Sequence, residues 1–385
     1  MKSEERKVQW KKALAGILIC AVAAFYGSQA VLYTYQALAS PDRLSEYFSD
    51  LYVYMGWIRD GTPIYSMAGD TMGTAYKLGG EIAVGVLLAL FALLSLYAAY
   101  RALKLCGECR DGILLIFAAL ISQAAFTAHI PGRFYYKGLG LTVNNFHSPT
   151  YIQMEPFAIF ATACLFAILP RLRQKQDTKT LLVFALCCTL ATYAKPSFLF
   201  CMAPALLLVL LVDFGLTKCK NIKNEILVGI CVLPGVAVAL RQSVMLFDES
   251  SKIIFAPVLN WLMIGRAFAE GVFRAGIFAL AVLLLYGVKY FRKHWFSFSY
   301  LVAAVGVGEY LCLMETGDRA EHGNLAWSAQ IGLYFALLAG IAVLLGERKR
   351  WKTPRWLLCA LLLLWQVISG VIYYVLLLRH GSFWI

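Results

Sequence analysis

The side chains able to move a proton or hold a phosphate lie in short polar stretches between long apolar ones. Asp50, in Phe-Ser-Asp-Leu, is a carboxylate that could take a proton from a hydroxyl group. Asn145 and His147 precede Pro149, which keeps the chain before it extended, and an amide and an imidazole on such a rigid loop would suit a hydroxyl-rich ligand. Lys195, in Tyr-Ala-Lys-Pro-Ser, Arg266 and Arg274 are cations suited to phosphate. The stretch from Glu315 to Asn324 also holds Asp318, Arg319, Glu321 and His322. Arg319 offers a fork of donors for phosphate, and His322 can donate to it or titrate. Each residue also has a structural alternative. Asp50 could be a solvated or helix-capping carboxylate, the 144–147 stretch a satisfied interfacial loop, and Lys195 a cation reaching lipid headgroups.

These residues need a scaffold that lives in lipid. Of 385 residues 61% are hydrophobic and only 15% charged, and the mean hydropathy is +0.68, values outside the range of water-soluble chains. A spanning helix takes about 20 apolar residues, because its backbone must satisfy itself where no water is available. Runs near 13–36, 81–100, 112–130, 155–170, 180–195, 197–213, 225–241, 273–290, 297–314, 325–346 and 355–378 predict an all-α integral membrane protein with about eleven transmembrane helices in a single domain, 1–385. The basic N-terminus leads into an apolar run too long for a signal-peptide core, so the first span is expected to be retained. With the N-terminus in the cytoplasm, 23 of the 35 Lys and Arg residues fall in the six inner segments, which sets the expected orientation. The net charge of +13 then reflects inner loops facing anionic lipid and calls for no nucleic-acid partner.

The loops on the outer side are the larger ones. In the first, 37–80, apolar residues from Leu44 to Ile58 recur at intervals of three and four, which predicts an amphipathic interfacial helix ended by Gly61 and Pro63. Asp42, Glu46 and Asp50 would form an acidic edge along it, tolerable only with a cation such as Arg43, Arg59 or a divalent ion between them. In the loop 242–272, the stretch 253–268 is apolar but too short to cross and predicts an interfacial or re-entrant helix. Cys106-x-x-Cys109 is half a zinc site with no partner pair, and no nucleotide-binding glycine motif occurs.

Ser49 and Asp50 just beyond the first span, the interfacial helix, and Gly61-x-Pro63-x-Tyr65-Ser66 resemble the first outer loop of bacterial GT-C-type membrane glycosyltransferases. Those enzymes take sugars from polyprenyl-phosphate donors. Asn145-Phe-His147-Ser-Pro149-Thr150, Ala194-Lys195-Pro196-Ser197-Phe198 and Glu315-x-Gly317-x-Arg319-x-x-His322-Gly323-Asn324 are similar to GT-C-like proteins of bacterial cell-surface polysaccharide pathways. The resemblance implies a GT-C-like fold in the bacterial cell membrane, a polyprenyl-phosphate-linked sugar as donor, and a glycan or lipid-linked acceptor on the extracytoplasmic face. It departs from the family in lacking an adjacent acidic pair in the first loop. A divalent metal ion there stays an option, and no other cofactor is expected. Glycosyl transfer with inversion asks for one carboxylate to take the acceptor's proton and cations to hold the leaving phosphate. Asp50 is the expected base, and Arg319, Lys195, Arg266 and Arg274 the expected phosphate ligands. Asn145, His147, Glu315, His322 and Asn324 are expected to line the polar cavity. Two rivals remain: a polysaccharide polymerase or ligase working from the 315–324 loop, and a transporter or flippase of a lipid-linked intermediate.

Overall fold

The computed structural model describes residues 2–39, 46–125, 127–130, 146–246, 252–317 and 324–381. In chain order the helices are α1 (Lys2–Leu38), α2 (Asp50–Arg59), α3 (Met67–Cys106), α4 (Gly112–Ala124), α5 (Pro149–Ile168), α6 (Thr178–Ala194), α7 (Ser197–Thr217), α8 (Ile222–Ile230), α9 (Leu233–Leu246), α10 (Pro257–Tyr290), α11 (His294–Cys312), α12 (Ala326–Gly346) and α13 (Pro354–His380). A short antiparallel ribbon pairs β1 (Ile253–Phe255) with β2 (Leu313–Glu315). Among the described residues nine segments are long and apolar enough to cross a membrane: α1, α3, α5, α7, α8 with α9, α10, α11, α12 and α13. This is the architecture of an all-α, multi-pass membrane protein. The centre of the bundle is α5 and α12, whose apolar windows are 78% and 83% buried, against 17% for α1. Small residues let helices meet there. A Cβ on Gly306 of α11 would come 2.5 Å from the Ser328 carbonyl oxygen of α12.

Several elements differ from the sequence-based expectation. The interfacial helix begins only at Asp50, because Tyr47 takes a left-handed φ of 60° that no helix contains. Glu46 therefore precedes the helix, Asp42 and Arg43 lie outside the described residues, and the expected acidic edge does not form along α2. The rest of the expected first loop holds a further helix. Residues 67–78 join the span across Gly79 and Gly80, and the φ of 62° at Gly80 breaks α3 there. The expected seventh span is broken into α8 and α9, since Pro234 has no N–H for the carbonyl of Ile230.

The expected spans 112–130 and 180–195 are helices of 13 and 17 residues, short of the about 20 that crossing takes. Beyond α4, the non-helical stretch 127–130 is satisfied by its neighbours. The Ala128 N–H donates to the Arg274 carbonyl (3.0 Å), the His129 N–H to Ser369 Oγ (3.0 Å), and Trp365 Nε1 to the His129 carbonyl (3.1 Å).

The expected interfacial stretch 253–268 is β1 followed by the first turns of α10, continuous with the span. Asn260 Nδ2 donates to the carbonyl oxygens of Tyr310 (2.6 Å), Leu311 (3.1 Å) and Leu313 (3.2 Å), so α10 starts where α11 ends. The two helices also meet at the 291–293 turn. A straight helix from 260 to 290 would measure about 45 Å, whereas α11 covers only about 24 Å between 294 and 310. Helix α10 therefore does not run straight between these two contacts.

Candidate functional site

Helix α2 is built to hold Asp50 at its first turn. Ser49 caps it, its side chain accepting the Leu51 N–H at 3.2 Å, while Leu51 and Met55 are buried beneath. The chain entering α2 is pinned by the end of α13. The Tyr47 N–H donates to the Gly381 carbonyl (2.8 Å), and the Tyr47 hydroxyl donates to the Leu378 carbonyl (2.8 Å). Gly381 itself has φ 66°, and a Cβ on it would stand 2.8 Å from the Tyr47 nitrogen. A carboxylate in the first turn also gains from the helix dipole.

Asp50 Oδ1 lies 2.9 Å from His147 Nε2, with side-chain exposures of 42% and 24%, so both groups are open to a ligand. Withdrawal of water by the surrounding protein raises the Asp50 carboxyl, but the His147 charge and hydrogen bond, the Lys195 charge and a hydrogen bond from Ser148 outweigh it. Asp50 is held below the ordinary carboxylate range. The N-cap of the central helix α5 is Ser148, whose Oγ is 2.9 Å from Thr150 Oγ1. Lys195 Nζ donates to Thr150 Oγ1 at 3.4 Å and stands 4.7 Å above the Trp327 ring, which packs on Tyr151 at 4.9 Å. Lys195 is in extended backbone between α6 and α7, where Pro196 prevents α6 from continuing. It is half-buried and engaged by protein, which argues against a side chain merely reaching for headgroups.

The chain of contacts continues to the loop before α12. The Trp327 N–H donates to the Asn324 carbonyl (3.2 Å), and Asn324 Nδ2 donates to Glu315 Oε2 (2.8 Å), with Glu315 buried in β2. Asp50, His147, Lys195, Asn324 and Glu315, far apart in sequence, thus belong to one connected set. Arg274 stands apart from that set: it is 2% exposed, its Nε donates to the Ala128 carbonyl (2.8 Å), and its Nη1 is 3.3 Å from Glu270. That engagement fits a clamp on the non-helical 127–130 stretch. Arg266 falls in α10, with its side chain outside the described part, and Asn145, Arg319 and His322 lie outside the described residues. Among the described residues no three His, Cys, Asp or Glu side chains converge where they could hold a metal ion.

Ser148 and Trp327 join the site without a sequence signal, since an isolated hydroxyl or indole carries no periodic pattern, and Thr150 stands in the sequence only as the last residue of the Asn145–Thr150 motif. Chemically the set offers a hydrogen-bonded carboxylate and imidazole beside a fixed ammonium group. That combination can take a proton and hold an anion at once. No protein-family model and no curated protein matches this chain.

Proposed function

We propose that this chain is a membrane glycosyltransferase that moves a sugar from a polyprenyl-phosphate donor to a hydroxyl acceptor at the Asp50 end of the bundle, on the extracytoplasmic face. The observation behind it is the Asp50–His147 pair at 2.9 Å with Lys195 fixed beside it, gathered from three distant segments. The pair supplies the base for the acceptor hydroxyl, and Lys195 compensates the charge growing on the departing phosphate. Asn324 and Glu315 border the site through Trp327, and Arg319 and His322, between them in sequence, would add donors for phosphate. A GT-C-like arrangement, the inverting outcome and the bacterial cell membrane rest on the motif resemblance together with this site.

The test is transfer of label from radiolabelled undecaprenyl-phosphate monosaccharides to lipid-extractable or polymeric product, using membranes that contain the chain. Asp50→Asn preserves size and cannot take a proton, so turnover should fall by about 10²–10⁴-fold while the protein still inserts. Near-normal turnover in that variant, or no transfer from any donor by the wild type, would overturn the proposal. A ligase acting from the 315–324 loop alone would keep its activity in Asp50→Asn.

A further inference from the structure

A second polar cluster gathers at the last turn of α6, around Tyr193. Asp70, in the first turn of α3, accepts a hydrogen bond from the Tyr193 hydroxyl. The turn before it is tight: a Cβ on Gly69 would fall 2.5 Å from the Ile64 carbonyl oxygen, so the start of α3 is packed closely on the Ile64–Ser66 segment. From α9, Gln242 Nε2 donates to the carbonyl oxygens of Tyr65 and Tyr193, each at 3.0 Å, and the Arg241 charge acts on the Tyr193 hydroxyl. Tyr193 and Lys195 are two residues apart, so their Cα atoms are within about 7 Å of one another. The cluster therefore adjoins the Asp50 site.

Two atoms here point to a ligand. Gln242 Oε1 and Ser66 Oγ have no hydrogen-bond partner among the described residues, although Gln242 is 5% and Ser66 7% exposed. A buried polar atom without a partner is costly, and a ligand hydroxyl that bonds to it recovers that cost. Both atoms are closed to solvent, so a ligand must displace part of the rim, where Tyr65 is exposed together with Asp70 and Arg241. The charges on the rim select the ligand class. Asp70 repels an anion and Arg241 repels a cation. A neutral molecule with many hydroxyl groups satisfies both: it donates to Asp70 and Gln242 Oε1, accepts from Arg241 and Ser66, and can lay an apolar face on the Tyr65 ring.

We infer that Asp70, Tyr65, Ser66, Tyr193, Arg241 and Gln242 form a carbohydrate-binding subsite. Its assignment to the acceptor sugar rests on the transferase reading. The probe is a panel of methyl glycosides of glucose, mannose, galactose and N-acetylglucosamine, titrated onto the full chain in phosphatidylethanolamine and phosphatidylglycerol nanodiscs free of glycoside detergent. Saturation-transfer NMR should show at least one of them binding. Asp70→Asn should weaken that binding roughly ten-fold, as loss of a hydrogen bond to a charged group does, with little change in melting temperature, and Gln242→Leu should weaken it as much with a lower melting temperature, since it also gives up the bonds to the Tyr65 and Tyr193 carbonyls. A diazirine derivative of the bound glycoside should label the wild type within 62–73 or at 193 and 241, which tests the site even if a variant fails to fold. No binding by the wild type, binding indifferent to both variants, or label confined elsewhere would overturn the subsite. Transfer that survives such a result would leave the Asp50 reading standing. Glycoside bound at Asp70 without any transfer would remove the transferase reading alone.

Discussion

Asp50 works in an environment that favours its charged form, and the sign of that effect can be measured. Its carboxyl is held below the ordinary range of about 4 by His147, Lys195 and Ser148, against the opposing effect of lost water. A depressed folded-state value means the pairing stabilises the protein fully above the unfolded carboxyl's range and loses that contribution as pH falls through the lower folded value. The melting temperature of the wild type should exceed that of Asp50→Asn at neutral pH, and the gap should narrow below about pH 4. A gap that stays constant down to about pH 2 would show that the carboxylate's charge contributes nothing there. The same partners make Asp50 a weaker proton acceptor than a lone carboxylate, while His147 shares the bond. An acid and an imidazole 97 positions apart in the chain give no periodic signal, so their pairing was not legible in the sequence, though both residue types were.

At the scale of elements, the apolar runs were legible because hydropathy alone decides which segments lipid accepts, and among the described residues nine of them fall in segments of crossing length. Their irregularities were harder to read. The start of α2 depends on a left-handed Tyr47 held by Gly381 at the far end of the chain, and no local pattern announces such a contact. The shortened α4 depends on side chains of α10 and α13 that satisfy residues 127–130. The placement of the first turn of α10 depends on Asn260, which donates to carbonyl oxygens at the end of α11. Packing between spans is equally non-local, and it yields a matched pair of variants. Gly306→Ala places a methyl group 2.5 Å from the Ser328 carbonyl oxygen, a backbone atom that cannot swing aside, so about 1–3 kcal/mol of stability should be lost. Gly308→Ala, two residues on, meets nothing within 4 Å and should be neutral or stabilising by up to about 1 kcal/mol. Unfolding in mixed micelles gives both values, and equal behaviour of the two variants would contradict the close contact of α11 with α12.

The whole molecule has two chemically distinct ends, and they predict an orientation. One end carries Asp50, His147 and Lys195. Helix α7 starts beside Lys195 and runs 21 residues, about 31 Å, to the Lys218–Lys220 turn at the opposite end. That opposite end is rich in cations locked to few acids. Lys289 and the Tyr290 hydroxyl engage Glu347, Lys293 lies 3.3 Å from Glu108, and Arg348 donates to the Glu108 carbonyl at 3.2 Å. Loops dense in Lys and Arg stay in the cytoplasm, so the Asp50 end should face outward. Two positions report the two ends. Thr62 is exposed just past α2, and native Cys219 is exposed in the Lys218–Lys220 turn. In intact cells a membrane-impermeant maleimide should label Thr62→Cys and leave Cys219 unmodified until the membrane is permeabilised. The native protein supplies the control, since it holds ten further thiols but none near Thr62 in sequence. Labelling of Cys219 with protection of the introduced cysteine would turn the molecule over. A sugar donor presented on the outer leaflet could then never reach Lys195, and the proposed transfer would have to be abandoned however well the Asp50 pair is formed.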